Sequence, residues 1–268
     1  MIGLITDYGS THYVGVLKGV IKSISPSAEV VDIEHGDWSF SVEAGAYVLL
    51  SSYGWFPRGS IFVVIVDPGV GSGRRAIAVE AGDYFFVGPD NGVLSPAVRE
   101  EGLRRAVALS FERVSALAGP RLRSKRELLL SYTFHGRDLF APAAALLHEG
   151  VELELLGEQV QEIAELSLER RREVIYIDKF GNVALGLRSL PEADAWRVIT
   201  EEGSFQARRG RTFSDVARGE LVIYLNSAGF VEIAVNQGSA AKVLRVRPGD
   251  PVKLEPIPSS PRGQRREA

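Results

Sequence analysis

Apolar and polar positions repeat with two different periods along this chain, and the period changes near residue 170. Ile2 to Ile5 is a short apolar run ending at Asp7-Tyr8-Gly9. Val14, Leu17, Ile21 and Ile24 then recur at helical spacing, and Pro26 ends the pattern. Val30 to Ile33 predicts a second strand, and Val42 to Tyr53 a second helix stopped by Gly54 and Pro57. Ser60 to Val66 is a continuous β-branched run, the pattern of a strand buried on both faces. This β-α-β-α-β order predicts a parallel sheet with covering helices. Ala76 to Glu80 and Tyr84 to Val87, joined through Ala81-Gly82-Asp83, predict a hairpin. Arg137 to His148 predicts a helix with Leu139, Ala143, Leu146 and Leu147 on one face, ended by Gly150.

The charge run Glu169-Arg170-Arg171-Arg172-Glu173 reads as a solvated linker. Beyond it the pattern is mostly β: Val174 to Ile177, Val183 to Leu187, Trp196 to Thr200, Leu221 to Leu225, Phe230 to Ala234 and Val252 to Leu254. Turn residues separate these runs, as in a small antiparallel barrel. The expected fold class is α/β, with two domains. Residues 1–168 form an N-terminal α/β domain with a mostly parallel sheet. Residues 173–258 form a smaller C-terminal antiparallel β-barrel-like domain. The proline-containing, charged stretch 259–268 is expected to be a disordered tail.

Composition adds limits. The 268 residues are 45% hydrophobic and 24% charged, with formal net charge -3, an ordinary globular profile. That charge gives no general attraction to nucleic acid or to acidic lipid. There are no cysteines, which rules out disulfides and thiolate metal sites and fits a cytoplasmic protein. The N-terminus reads as a strand rather than a signal peptide. No apolar run is long enough to span a bilayer.

Candidate chemistry lies at strand ends. Ligands of open α/β sheets bind beyond the carboxyl ends of strands, where the strand order reverses. Asp7 follows the first strand and Asp67 the third, although an aspartate there also caps turns. Asp67-Pro68-Gly69-Val70-Gly71-Ser72-Gly73-Arg74-Arg75 joins an acid to two arginines across a glycine-rich turn. It is neither a Walker loop nor a dinucleotide fingerprint. Thr133-Phe134-His135-Gly136-Arg137-Asp138 puts a histidine just before a helix, where it serves either as acid or base or as a structural hydrogen-bonding group. His12, His35 and His148 have no motif around them and read as structural or surface residues. No metal-ligand spacing is present, so no metal is expected. In the second half, Asp178, Phe180 and Asn182 cluster within five positions, and Asn226-Ser227-Ala228-Gly229 and Asn236-Gln237-Gly238 add polar groups at strand ends. An aromatic face plus an amide suits an adenine ring, and the same residues also mark turns.

As an ordered set these segments resemble the S-adenosylmethionine (SAM) hydrolases that form adenosine, also called SAM hydroxide adenosyltransferases, relatives of the fluorinases and chlorinases. The matching segments are Thr6-Asp7-Tyr8-Gly9, Asp67-Pro68-Gly69-Val70-Gly71, Arg74-Arg75, Pro89-Asp90-Asn91-Gly92, Thr133 to Asp138, Asp178 with Phe180-Gly181-Asn182, and Asn236 with Gly238 to Ala241. The resemblance implies that Asp67, Arg74 and His135 position and activate water. It implies that Asp7 holds the ribose hydroxyls, and that Asp178 and Ser227 meet the methionine ammonium and carboxylate. Asn182 and Asn236 become adenine-edge contacts, Phe40 and Phe180 stacking walls, and Thr133 and Phe134 members of the substrate-binding set. SAM is then the substrate, with no cofactor. The resemblance further implies a homotrimer with each site between one subunit's N-terminal domain and its neighbour's C-terminal domain. The halogenating relatives have a tyrosine where Asp67 stands and lack the His135 set, which favours water over halide. Ala228 and Gln237 stand where the fluorinase carries other residues. The alternatives are a SAM-dependent halogenase and a noncatalytic adenosine- or SAM-binding protein.

Overall fold

The computed structural model describes residues 1–38, 40–123, 131–169 and 171–258. The expected tail 259–268 lies outside them, as does part of the expected linker. The chain divides into two units, Met1–Ser167 and Leu168–Ala268.

In the first unit, strands β1 (Ile2–Thr6), β2 (Val30–His35) and β3 (Ile61–Ile65) alternate with helices α1 (His12–Ile24) and α2 (Val42–Ser52). The hairpin β4 (Ala76–Ala81) and β5 (Tyr84–Pro89) follows, then α3 (Ser95–Glu101), β6 (Leu103–Leu109), α4 (Phe111–Ala118), α5 (Ala141–His148) and β7 (Gly157–Gln159). The sheet order is β2-β1-β3-β5-β4-β6-β7. Strands β2, β1, β3 and β5 run in parallel, and the antiparallel pairs gather at the β4–β6–β7 side. Alternation sorts the side chains. Ile2, Leu4, Ile61, Val63 and Ile65 share one core with Leu17 and Ile21 of α1 and with most of α5. Phe62 and Phe86 face the other way, stacked at 5.6 Å and joined by Tyr53 and Tyr84. Helix α2 packs against the end of β3 through Gly45, where a methyl group would stand 2.7 Å from a Val66 methyl.

The helix expected over Arg137 to His148 begins differently. Gly136–Phe140 is a π-helical turn, and only Ala141–His148 is α-helical. Pro142 has no N–H to return to the carbonyl of Asp138, so regular α geometry fails there. The Ala141 N–H bonds instead to the Gly136 carbonyl, five residues back.

In the second unit, β8 (Arg171–Ile177), β9 (Val183–Gly186), β10 (Ala195–Thr200), β11 (Gly203–Arg209), β12 (Leu221–Leu225), β13 (Val231–Val235) and β14 (Lys253–Ile257) form one curled sheet. Its order is β14-β10-β11-β12-β13-β9-β8. The two ends approach each other: Val174 N–H donates to Asp250 and Val252 N–H to Arg172, so the sheet nearly closes on itself. Trp196, Ile223 and Ile233 fill the inside together with Leu244 of the short helix α6 (Ala240–Leu244). The expected all-antiparallel pairing holds except at β11 and β12, which run parallel with Ala207 opposite Leu221. Among the described residues no helix is long and apolar enough to cross a membrane.

Candidate active site

β1 and β3 lie side by side with Thr6 opposite Ile65. From β1 the chain crosses to β2 on one side, while β3 occupies the other. This is the order reversal at which open α/β sheets leave a crevice. Asp7 is the first residue beyond β1, and Asp67 lies two residues beyond β3. The sheet therefore places both carboxylates at one edge.

The glycine-rich turn after Asp67 brings Arg74 back onto it. Arg74 Nε donates to Asp67 Oδ1 at 2.7 Å, and Arg74 Nη2 donates to Asp67 Oδ2. The pair is largely buried, with side-chain exposures of 11% and 6%. The same Nη2 lies 2.9 Å from His135 Nδ1. A guanidinium only donates, so Nδ1 must accept and the imidazole proton must sit on Nε2. Burial first, and the Arg74 cation second, hold the His135 pKa below its ordinary value. The imidazole is thus neutral at neutral pH, with Nε2–H free to donate.

His135 is held in turn by its own loop. The buried Asp138 carboxylate accepts the Ser131 N–H at 2.8 Å and pairs with Arg137, whose guanidinium lies over the Phe134 ring. Gly71, at φ +77°, approaches this loop so closely that a methyl group would lie 2.5 Å from the Tyr132 carbonyl oxygen. The two functional loops therefore touch through backbone.

Asp7, Asp67, Thr133 and His135 line one pocket of about 310 Å³, with Phe40 at its mouth. Asp7 accepts the Phe40 N–H at 3.0 Å. Burial raises the Asp7 pKa above the usual carboxylate value, and the backbone N–H groups of Phe40 and of Asp7 itself work the other way without cancelling it. Such a carboxylate is short of donors, and a vicinal diol supplies two. Phe40 has φ 69° and is 71% exposed, an aromatic held in a strained backbone conformation beside the pocket. The pocket also takes in Tyr8, Tyr13, Ile65, Val70 and Gly136, which sequence reasoning passed over. Tyr8, Val70 and Gly136 stood inside the quoted motifs, and that adjacency was the only signal available. Phe134 does not line the pocket; it packs edge-on against Tyr8 and Tyr13. Arg75 turns away to Asp90 and to the Glu162 carbonyl, so it braces the unit rather than the site.

A family model described as the SAM hydroxide adenosyltransferase N-terminal domain matches residues 2–157, and its C-terminal counterpart matches residues 172–253. The chain belongs to the SAM hydroxide adenosyltransferase family. It is similar to the (R)-S-adenosyl-L-methionine hydrolase of Thermus thermophilus, at 38% identity over 93% of this chain and 97% of that protein. A fluorinase of Actinopolyspora mzabensis is more distant, at 26% identity over 95% of this chain and 96% of its own. The crystal structure of a conserved Thermotoga maritima protein superposes with a TM-score of 0.82 at 39% identity, over 95% of this chain and 100% of that one.

The remaining residues expected of a SAM hydroxide adenosyltransferase site lie in the second unit. Asp178 is bound by its own turn. Its Oδ1 accepts the N–H groups of Phe180 and Asn182 at 2.9 Å each, and its Oδ2 accepts Asn182 Nδ2 at 2.8 Å. Gly181, at φ +87°, packs so tightly on Ser239 that a methyl group would be 2.0 Å from its hydroxyl. The turn is therefore fixed, and it presents Phe180 to solvent at 66% exposure. Asn182 is buried. Asn236 donates to the Val216 carbonyl at 2.8 Å. Ser227 is exposed on the turn between β12 and β13. Among the described residues no cluster of His, Asp or Glu is placed to hold a metal ion.

Proposed function

We propose that this enzyme hydrolyses SAM to adenosine and L-methionine. The observation that carries the reading is the Asp67–Arg74–His135 chain of contacts opening onto the pocket that Asp7 also lines. The names of its relatives, SAM hydrolases at 37–38% identity, support it.

In this reading Asp7 accepts the ribose hydroxyls, and the nucleoside lies against Phe40. A water-derived oxygen sits about 3–3.5 Å behind the ribose 5′ carbon, in line with the sulfonium. His135 Nε2–H donates to that oxygen, and the nearby Arg74 cation favours its hydroxide form. Asp67 holds Arg74, and through it the imidazole tautomer. The hydroxide oxygen bonds to C5′ as the C5′–S bond breaks. The bond's electron pair goes to the sulfur, which leaves as neutral methionine, and the proton lost by the water passes to solvent. Attack of an anion on a sulfonium cancels charge, so a pocket closed to bulk water favours the step.

Asp178, Phe180, Asn182, Ser227 and Asn236 supply the adenine and methionine contacts in this reading. They come from the second unit of a neighbouring subunit in a homotrimer. Sedimentation analysis should then give three times the 29.2 kDa chain mass. The cysteine-free composition suits action in the cytoplasm.

The test is to incubate pure protein with SAM, first without halide and then with it, and to chromatograph the products. Adenosine plus methionine supports the hydrolase. A 5′-halo-5′-deoxyadenosine identifies a halogenase, and nucleoside binding without turnover identifies a binder.

A further inference from the structure

Tyr8 brings into the pocket a polar group that the proposed reaction has not used. Its ring is held edge-on by Tyr13 and Phe134, with centroids at 5.7 and 6.1 Å. Its backbone N–H is tied to the Thr6 hydroxyl at 3.3 Å. Its own hydroxyl makes no hydrogen bond to a described residue.

That hydroxyl reaches the wall formed by Gly136. A methyl group on residue 136 would stand 2.8 Å from Tyr8 Oη, with Ile65 and Leu17 side chains at 3.1 and 3.3 Å. Glycine at 136 leaves room for the phenol. Gly136 directly follows His135, and Ile65 lies two residues before Asp67; all four line the same pocket as Tyr8. Burial, reinforced by the negative charges of Asp7 and Asp67, raises the pKa of the phenol well above its ordinary value. Tyr8 therefore keeps its proton and has it to donate. A half-enclosed donor without a protein acceptor is left to be satisfied by water or ligand.

We propose that Tyr8 Oη donates a hydrogen bond to the oxygen that attacks C5′ and departs as the 5′ hydroxyl of adenosine. The proposal rests on the hydrolase reading and adds a catalytic residue to it. A hydroxide has three lone pairs to offer and is stabilised by donors. His135 Nε2–H supplies one and Tyr8 Oη a second, from the side bounded by Gly136 and Ile65. Asp7 is an acceptor, so the ribose diol falls to it and the attacking oxygen to the two donors.

Tyr8→Phe keeps the ring and its packing and removes one oxygen atom. Adenosine and 5′-deoxyadenosine, titrated calorimetrically into the wild-type protein and this variant, test the contact. Adenosine should bind the variant about tenfold more weakly, the loss expected for one such hydrogen bond. Affinity for 5′-deoxyadenosine should stay within about twofold, which also reports that the variant is folded. With SAM, kcat should fall by about 10- to 100-fold while KM hardly moves, because the contact strengthens as hydroxide forms. Equal loss for both nucleosides, or none for either, overturns the Tyr8 assignment and leaves the hydrolase reading standing when the wild type makes adenosine. A wild-type protein that makes no adenosine and binds neither nucleoside overturns both.

Discussion

Arg74 Nη2 sits 2.9 Å from His135 Nδ1, and this contact decides which imidazole nitrogen carries the proton. Because the guanidinium cannot accept, Nδ1 accepts and the other ring nitrogen, Nε2, carries the proton. His135 so held cannot take a proton from water through Nε2; it can only donate. In the proposed reaction such a site would stabilise a hydroxide rather than act by general-base abstraction.

Arg74→Lys tests this directly. A single ammonium cannot fork to both Asp67 oxygens and also reach His135, so the imidazole loses the partner that sets its tautomer. Turnover should fall on the order of 10²- to 10³-fold, as when one preorganised donor is lost. KM should change by less than about threefold, since uniform substrate binding is untouched. Steady-state assay of adenosine release measures both; a lysine variant within about threefold of wild type in kcat contradicts the role.

Asp67→Asn separates binding from chemistry at the other end of the chain of contacts. Asparagine keeps the shape and one acceptor oxygen but removes the charge that anchors Arg74. Adenosine affinity, set by Asp7 and Phe40 in the proposed site, should stay within about threefold, while turnover drops at least about 100-fold. Calorimetry against product and chromatography of the reaction give the two numbers.

The pH dependence has a definite sign. Burial and the Arg74 cation hold His135 below its ordinary pKa of 6.5, so the folded protein takes up this proton at lower pH than the unfolded chain does. Between the two values the unfolded state binds more protons, and stability falls as pH drops through that window. Protonation also places an N–H on Nδ1 against the guanidinium and breaks the contact. Activity should therefore persist at pH 6.5 and fall below it. An NMR titration of the His135 ring should give a midpoint under 6.5, and a midpoint above that value removes the basis for the neutral donor.

The legible parts of this protein were those in which local pattern and tertiary role coincide. The β1-α1-β2-α2-β3 alternation stood out because β1 and β3 are buried on both faces and α1 places Val14, Leu17, Ile21 and Ile24 on one side. β11 did not stand out: in Gly203–Arg209 only Ala207 is buried, so it carries no apolar alternation and owes its pairing to its neighbours. The π-helical turn was hidden because residues 137–148 have helical spacing, and only Pro142 hinted at the break. At the site, Asp7, Asp67, Arg74 and His135 were readable as motif residues. Tyr8 stood in the same motif as Asp7 but carried no role there, since a tyrosine after a strand usually packs, and its hydroxyl becomes notable only beside Gly136. Phe134 belonged to the readable motif, yet it serves to brace the loop.

Gly71→Ala should show how far the site depends on two loops meeting through backbone. At φ +77° an alanine costs roughly 1–2 kcal/mol from local sterics alone. Its methyl would also fall 2.5 Å from the Tyr132 carbonyl oxygen, and a backbone atom cannot swing aside as a side-chain end can. The less costly relief is for the glycine-rich turn to lift away from residues 131–135. That motion carries Arg74 off His135 Nδ1 and frees the imidazole tautomer. Turnover should then fall at least about 10-fold, more than so small a stability loss would cause in a protein that remains folded. Thermal melting should drop by a few degrees. Gly73→Ala is the control: no atom lies within 4 Å of a methyl at that position, and its backbone is not in the left-handed region. It should leave kcat within about twofold; equal effects from the two substitutions would show that turn flexibility, rather than the contact with Tyr132, sets the rate.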